Sequence, residues 1–334
     1  MASTTERNNN ASKKSFVIGT RKSQLALVQT YMVRDTLQAL YPDHEFTIEA
    51  MSTLGDNIMD KALSKIGEKA LFTKELEIAL ANNKVDFVVH CLKDLPTMLP
   101  PGMTLGAIME REDPSDALVL NERNKGKTIK DLPPGSVIGT SSLRRVAQLK
   151  RRYPHLEFKD VVRNLNTRLA KLDDENGPFS GIVLAVAGLV RLNLGNRISQ
   201  VLPPSDSLHA VSQGALAIEC REGDEDTIAM LQPLNHADTR ITCLAERALM
   251  RKLEGGCSVP IGVNTRLENN TLWLHGLVAS LDGQHVVEHQ DEVSLEEAKT
   301  QEAKEALAET LGRSVAEALL KNGADKILEE LAHK

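Results

Sequence analysis

The sequence predicts an α/β protein with two similar lobes facing a shared cleft, followed by a smaller α+β region on an antiparallel sheet. Three observations carry this reading. From Phe16 onward, short β-branched runs alternate with segments of helical period, the pattern of α/β layering. The run Val17-Ile18-Gly19-Thr20 returns as Val137-Ile138-Gly139-Thr140, 120 positions later, and each copy leads into a helix with Ser and Arg near its start. Beyond Pro233 the pattern changes to strands around Asp282-Gly283, a hairpin signal. With 334 residues the chain also exceeds what one hydrophobic core organises, so two or three domains are expected.

Taken in order, Phe16-Val17-Ile18 reads as a buried strand, and Gly19-Thr20 turns it into a helix with Leu25, Val28 and Met32 on its apolar face. Phe46-Thr47-Ile48 is a second strand, Leu71 to Leu80 a helix, and Asp86 to His90 a third strand. That strand ends in the loop Cys91-Leu92-Lys93-Asp94-Leu95-Pro96. Ile182 to Ala185 mirrors Phe87 to His90. A four-residue echo fits chance as readily as duplication; taken as real, it places two lobes around one cleft, where strand C-termini bind ligands. In the third region Ile241 to Leu253 is a helix stopped by Gly255-Gly256. Thr271 to Leu281 and His285 to Val293 form the hairpin. A last helix carries Leu307, Leu311, Val315 and Leu319, with Gly323 as its C-cap.

Composition removes several function classes. The net charge is −6 and only 3% of residues are aromatic, which disfavours a general polyanion binder or base-stacking surface. No apolar run reaches the roughly 18–20 residues a bilayer span needs. The first 13 residues are polar and lack a signal-peptide core; they read as a disordered tail, with a mitochondrial address as the alternative. Four cysteines without a C-x-x-C fit a reducing cytosol rather than a disulfide framework. There is no GxGxxG, GxxxxGK[ST] or HExxH.

The clearest candidate site is Gly139 to Arg145. A helix N-terminus presents unbonded amides and a positive dipole end. Ser141 and Ser142 add hydroxyls, and Arg144 and Arg145 can grip carboxylates. The bland reading is a Ser-capped helix with solvated arginines, which is the reading preferred for Lys150-Arg151-Arg152. Arg21 and Ser23 hold the equivalent place after the first strand, and Arg168 and Arg191 lie near strand-to-helix junctions. Any one of these arginines fits a surface charge; together they would make a polycarboxylate site. Asp94, at a strand end near arginines, would stay ionised and could stabilise a cation or shuttle a proton. The competing role is a loop-fixing Asp paired with Lys93. His90-Cys91 has no companions at metal-ligand spacing, so no metal is expected. Cys257, in Gly255-Gly256-Cys257-Ser258-Val259-Pro260, follows a helix C-terminus that disfavours a thiolate. On these residues alone it reads as a small buried thiol. A permanent attachment point suffers less from the dipole than a turnover nucleophile would.

Together, Gly19-Thr20-Arg21-Lys22-Ser23-Gln24-Leu25-Ala26, Lys93-Asp94-Leu95-Pro96-Thr97, Gly139 to Arg145, Asn164 to Arg168 and Leu253 to Pro260 resemble the porphobilinogen deaminases. The resemblance implies two periplasmic-binding-protein-like lobes with mixed sheets and two chain crossings. Residues 14–111 with 212–234 would form one lobe, 112–211 the other, and 235–334 a third α+β domain. It implies a dipyrromethane cofactor on Cys257 and a reaction joining four porphobilinogens head to tail, with loss of ammonia, into hydroxymethylbilane. Asp94 would stabilise the azafulvene cation. Lys93, Ser23, Ser141, Ser142, Arg144 and Arg145 would hold the cofactor. Arg21, Arg168 and Arg191 would take substrate carboxylates, with Gln213, in an interlobe crossing, beside them. Asp56 to Lys74, with Gly55 and Gly67, resembles a lid. A cytoplasmic monomer is expected, with porphobilinogen as its small-molecule partner and neither nucleic acid nor membrane.

Four positions depart from the family pattern. Val162-Arg163 stands where Arg-Gly is usual, which removes one site arginine and puts bulk at a glycine position. Cys91 replaces a serine, a poorer hydrogen-bond donor, and Ser212 replaces a glycine beside Gln213. These predict weaker substrate handling and accumulated intermediates. The competing functions are a two-lobed anionic solute-binding or ligand-sensing protein, since fold alone does not fix function, and an RNA-binding protein using Arg144 to Arg152.

Overall fold

The structure is a computed structural model and describes residues 14–57, 72–161, 165–253 and 259–332. In chain order it begins β1 (Ser15–Arg21), α1 (Gln24–Leu40), β2 (Glu45–Met51), α2 (Leu54–Asn57), α3 (Lys74–Ala81), β3 (Phe87–Cys91) and β4 (Met103–Ile108). The chain then crosses to β5 (Asp116–Leu120), β6 (Val137–Gly139), α4 (Leu143–Arg152), β7 (Glu157–Lys159), α5 (Leu165–Asp173), β8 (Gly181–Ala185), α6 (Val186–Arg191) and β9 (Gln200–Val201). It returns as β10 (Leu216–Arg221) and α7 (Glu225–Leu231). The third region is α8 (Ala237–Lys252), β11 (Ile261–Glu268), β12 (Thr271–Ala279), β13 (Val286–Ser294), α9 (Gln301–Leu319) and α10 (Asp325–Ala332).

The echo between Val17 and Val137 is structural. One sheet has the order β2-β1-β3-β10-β4 and the other β7-β6-β8-β5-β9. In each, a central strand (β1 or β6) lies parallel to both neighbours, and the fourth strand runs antiparallel. That fourth strand is always the first to arrive after a crossing: β5 enters the second lobe from the first, and β10 returns. The lobes are therefore tied by two chain segments, and each lends its sheet the strand next to a crossing.

Both faces of each lobe sheet are covered, so its strands read as continuous apolar runs rather than alternating ones. Phe16, Ile18, Phe87 and Val89 pack with Val33 and Leu37 of α1 and Met230 and Leu231 of α7. Val17 and Val88 face Leu76 and Leu80 of α3 on the other side. Burying each such side chain contributes about 1.5–3 kcal/mol. The expected apolar face of α1 is off by one position. Met32 is 44% exposed, and Gln29, Thr30, Val33 and Leu37 are the buried residues. Buried polar Gln29 and Thr30 hid the true stripe.

In the third region a sheet of order β11-β12-β13 lays Leu272, Leu274 and Val278 on α8 and α9. These two helices touch closely: a Cβ at Gly312 would stand 2.2 Å from the carbonyl oxygen of Ala245. Gly323, expected as a cap, has φ 105° and marks the kink between α9 and α10. The strands β4, β5, β10 and β11 were not foreseen.

The second crossing carries a strained residue. Ser212 is fully buried with φ 61°, left-handed backbone that costs a side-chain-bearing residue about 1–2 kcal/mol. Among the described residues its hydroxyl finds no oxygen or nitrogen partner and lies beside the Cys243 thiol. Ser212→Gly is therefore expected to raise the unfolding free energy by about 1 kcal/mol, after the flexibility of glycine offsets part of the gain. Chemical denaturation checks this, and an unchanged or lower midpoint contradicts it.

Candidate functional site: a cationic cleft at the interlobe crossings

The cleft is lined by strand ends and helix N-termini from both lobes. Ser23 caps α1, accepting from the backbone N–H of Ala26 at 3.3 Å. Ser142 caps α4 in the same way through the N–H of Arg145. Across the cleft, the side-chain amide of Asn166 in α5 donates to Gln24 Oε1 of α1, and α6 lies against α1. Ser141 does not point an idle hydroxyl into this space: its Oγ donates to the carbonyl of Val161 at 2.8 Å and accepts from its N–H at 3.2 Å.

Asp94 ends a single turn, Leu92–Asp94, directly after β3. Buried Leu92 and Leu95 anchor the loop on either side, leaving Asp94 half-buried at the cleft. Its carboxylate makes no hydrogen bond or ion pair among the described residues, so the competing Lys93 pair is not formed. Instead Lys93 Nζ donates to Gln213 Oε1 at 3.3 Å. Burial pushes the Lys93 amine pKa down and Arg145 pushes the same way, while nearby Asp94 opposes them. Cys91 exchanges hydrogen bonds with Gln29 of α1 at 3.2–3.3 Å. Burial raises its thiol pKa and Asp94 adds to the rise.

Arg144 and Arg145 are buried rather than solvated, and both close on one carboxylate. Arg144 Nη1 lies 2.7 Å from Asp116 Oδ2, and Arg145 Nη2 lies 2.7 Å from Asp116 Oδ1. Arg144 also donates to the carbonyl of Leu208 at 2.5 Å, and Arg145 to that of Val183 at 2.8 Å. Burial alone would raise the Asp116 carboxyl; the two guanidiniums outweigh it and hold it far below the usual range. A guanidinium has five N–H donors, so each arginine keeps hydrogens beyond those spent on this clamp. The trio retains a net positive charge.

Gln213 completes the clamp from the second crossing. It is 1% exposed, and its amide hydrogens go to the carbonyl of Pro114 at 2.6 Å and to Asp116 Oδ1 at 2.9 Å. Both hydrogens are thus taken at the crossing, so this residue links Lys93 to Asp116. Its side-chain amide has no donor left to offer a substrate. Arg191 ends α6, not begins it, and its Nη2 donates to the carbonyl of Gly214 at 2.6 Å. Burial lowers its pKa, and it makes no ion pair among the described residues. Gly214 has φ 92°, and a Cβ there would meet the carbonyl of Glu112 at 2.2 Å; only glycine lets the crossings approach so closely. Arg21 lies over the ring of Phe72 at 4.1 Å, and half-buried Arg168 sits in the first turns of α5.

A second buried carboxylate, Glu246 of α8, clamps both crossings from the third region. Arg111 grips it at 2.7 and 3.0 Å, and the Ser212 N–H donates to it at 2.6 Å. Sequence reading missed Asp116, Glu246 and Arg111, because isolated charges in loops or on helices carry no local pattern. His90, for which no metal was expected, lies 2.9 Å from Glu219. Cys257, Val162, Arg163 and most of the expected lid lie outside the described residues.

The donor set fits a dipyrromethane carrying carboxylates. Lys93 and Arg191 are half-buried cations whose pKa values burial lowers, a shift that an incoming carboxylate offsets. The fold and the site define a two-lobed protein whose described residues gather cations near Asp94, a half-buried carboxylate with no hydrogen bond or ion pair among them. Residues 16–229 match the family model "Porphobilinogen deaminase, dipyromethane cofactor binding domain", and residues 240–321 match "Porphobilinogen deaminase, C-terminal domain". A porphobilinogen deaminase of Nostoc sp. is 55% identical over 321 residues, 96% of each chain. One of Synechococcus elongatus is 56% identical over 314 residues, 94% of each. Among solved structures, the aliphatic sulphonate binding protein SsuA of Escherichia coli aligns with a TM-score of 0.38 and 14% identity, covering 73% of this chain and 71% of that one. This chain belongs to the porphobilinogen deaminase family.

The crossings also set a pH limit. His209 is buried; its Nδ1–H donates to the carbonyl of Ala210 at 3.0 Å, and Nε2 has no partner among the described residues. Burial pushes its pKa down to about 4 against the pull of Glu246. Below about pH 6.5 the unfolded imidazole takes a proton that the folded one refuses. Stability from this residue is therefore complete above pH 6.5 and is lost as pH falls toward 4, by about 3 kcal/mol in all. Paired unfolding titrations of the parent and His209→Gln should diverge across that window, the variant being flatter. Parallel curves contradict this assignment.

Proposed function

We propose that the protein is a transferase that condenses four porphobilinogen molecules head to tail, releasing ammonia, to give hydroxymethylbilane. The observation that carries this is Asp94, a half-buried carboxylate without hydrogen bond or ion pair among the described residues, in a cleft of arginines and one lysine, within a chain of this family. Loss of ammonia from the aminomethyl group of porphobilinogen leaves a cation delocalised onto the pyrrole nitrogen. A preformed carboxylate aimed at that charge stabilises its formation without reorganisation. Asp94 is the catalytic residue in this reading and handles the protons of each addition.

Cys257 is proposed as the covalent anchor of a dipyrromethane, which when bound supplies the acceptor ring from which the product grows. Lys93, Ser23, Ser142 and the remaining donors of Arg144 and Arg145 hold its carboxylates. Ser141 contributes by fixing the backbone at Val161. Arg21, Arg168 and Arg191 take the acetate and propionate of the incoming ring, and Gln213 acts through Lys93 rather than on substrate. The three units are read as 14–111 with 212–234, 112–211, and 235–334. Among the described residues no helix is long and apolar enough to cross a membrane; we read the chain as a cytoplasmic monomer that takes no nucleic acid.

Intact-mass measurement tests the anchor directly. The purified protein should exceed its sequence mass by one dipyrromethane, lose that increment in Cys257→Ser, and gain ring masses stepwise with porphobilinogen. A parent carrying no adduct and acquiring none would overturn the reading. In the same assay Asp94→Asn should keep the cofactor yet slow ring addition about 100-fold or more.

The departure at Val162-Arg163 is open to a separate measurement. Restoring the family's pair with Val162→Arg and Arg163→Gly should speed elongation and shift accumulated species toward free enzyme. Turnover equal to the parent would mean that the chain has compensated for the lost arginine.

A further inference from the structure

Arg247 of α8 is 2% exposed and makes no ion pair with a carboxylate among the described residues, unlike Arg111, Arg144 and Arg145. Its Nη1 donates to the carbonyl of Leu95 at 3.1 Å and its Nη2 to that of Pro96 at 2.6 Å. One turn further along, Arg251 Nη2 donates to the carbonyl of Thr97 at 3.2 Å. These are the three carbonyls immediately after Asp94. Leu92 and Leu95, on either side of that carboxylate, pack in one cluster with Cys243 of the same helix. Pro96 has no N–H to offer a neighbouring strand, so fixing this loop falls to its carbonyls.

Stability does not explain the arginine. A guanidinium removed from water without a carboxylate is costly, and an apolar side chain of similar volume would fill the space without that cost. Burial shows its effect by pushing the Arg247 pKa down to about 10. The same helix ends at Lys252, five positions before Cys257.

We propose that Arg247, assisted by Arg251, is a positioning residue for Asp94, holding the catalytic loop in register with the helix that leads to the cofactor cysteine. The inference rests on the reading of Asp94 and Cys257 given above. A carboxylate that must meet each new cation in turn gains from being referenced to the element carrying the tether, and misplacement by about 1 Å can cost two orders of magnitude in rate.

The test uses cofactor-loaded protein, loading being verified by intact mass, with variants Arg247→Met, Arg247→Lys and Arg251→Ala. Arg247→Met should lower kcat about 10-fold or more while KM for porphobilinogen stays within about 2-fold. Arg247→Lys, which keeps the charge but reaches one carbonyl, should fall between it and the parent, and Arg251→Ala should show a smaller loss of the same kind. On an Asp94→Glu background, where the carboxylate is already displaced, Arg247→Met should cost far less than on the parent. A lower melting temperature with kcat unchanged, a raised KM alone, or full additivity with Asp94→Glu would each overturn the proposal. Should Arg247→Met fail to fold, the kcat of the lysine and Arg251→Ala variants decides by the same criterion. Full activity of Asp94→Asn would instead sink the assignment of Asp94 itself, whatever the arginine variants do.

Discussion

The carboxylate of Asp116 is the charge around which the rest of the molecule is arranged. It stands at the first residue of β5, where the chain has just crossed between lobes. It receives Arg144 and Arg145 from α4, Ser207 from the approach to the second crossing, and Gln213 from the crossing itself. A buried ion of this kind survives only when each lone pair is answered, because the interior repays desolvation poorly otherwise. Here the answers come from the second crossing and a cleft helix to a carboxylate that ends the first crossing, so satisfying it fixes three elements at once.

Glu246 repeats the device from the other side. Through Arg111 and the Ser212 N–H it fastens both crossings to α8, and Arg111 Nε also donates to the carbonyl of Gln213 at 2.7 Å. The two carboxylates thus share neighbours in the second crossing, Glu246 taking Ser212 and Asp116 taking Gln213. Polar networks in a low-dielectric interior are worth most when complete and cost most when broken. This makes the junction of lobes and third domain a defined joint instead of a loose linker. Backbone strain at Ser212 sits in the middle of it, in a segment over-determined enough to hold a residue that would prefer another conformation.

Much of this was legible in the sequence wherever the signal was local. The repeated Val-Ile-Gly-Thr run located β1 and β6 and their shared role, and Asp282-Gly283 located the hairpin of β12 and β13. What could not be read was non-local. Strands β5 and β10 are defined by which sheet they join after a crossing, and no periodicity within them reports that. Arg144 and Arg145 read from the sequence as a pair able to grip carboxylates, with solvated arginines as the bland alternative. Their burial was not legible because the carboxylate they close on lies 28 and 29 positions earlier in the chain. Gln213 shows the same limit, since the partners of its amide, Pro114 and Asp116, lie 99 and 97 positions earlier.

The buried carboxylates also settle how so acidic a chain can collect anions. The net charge is −6, yet the described residues gather Lys93, Arg144, Arg145 and Arg191 near Asp94 and Asp116, with Glu112 beside Arg191. The sign of the field is therefore reversed locally, and low-dielectric walls concentrate it. Desolvation strains the free protein here, burial lowering the pKa values of Lys93 and Arg191. A ligand bringing carboxylates relieves that strain, and whatever binds the folded state in this way stabilises it. Placing Asp116 between the two most tightly packed arginines removes the worst of their mutual repulsion while leaving the remainder of the cleft short of negative charge. The clamp that organises the crossings is, by the same electrostatics, what lets the rest of the wall stay hungry for anions.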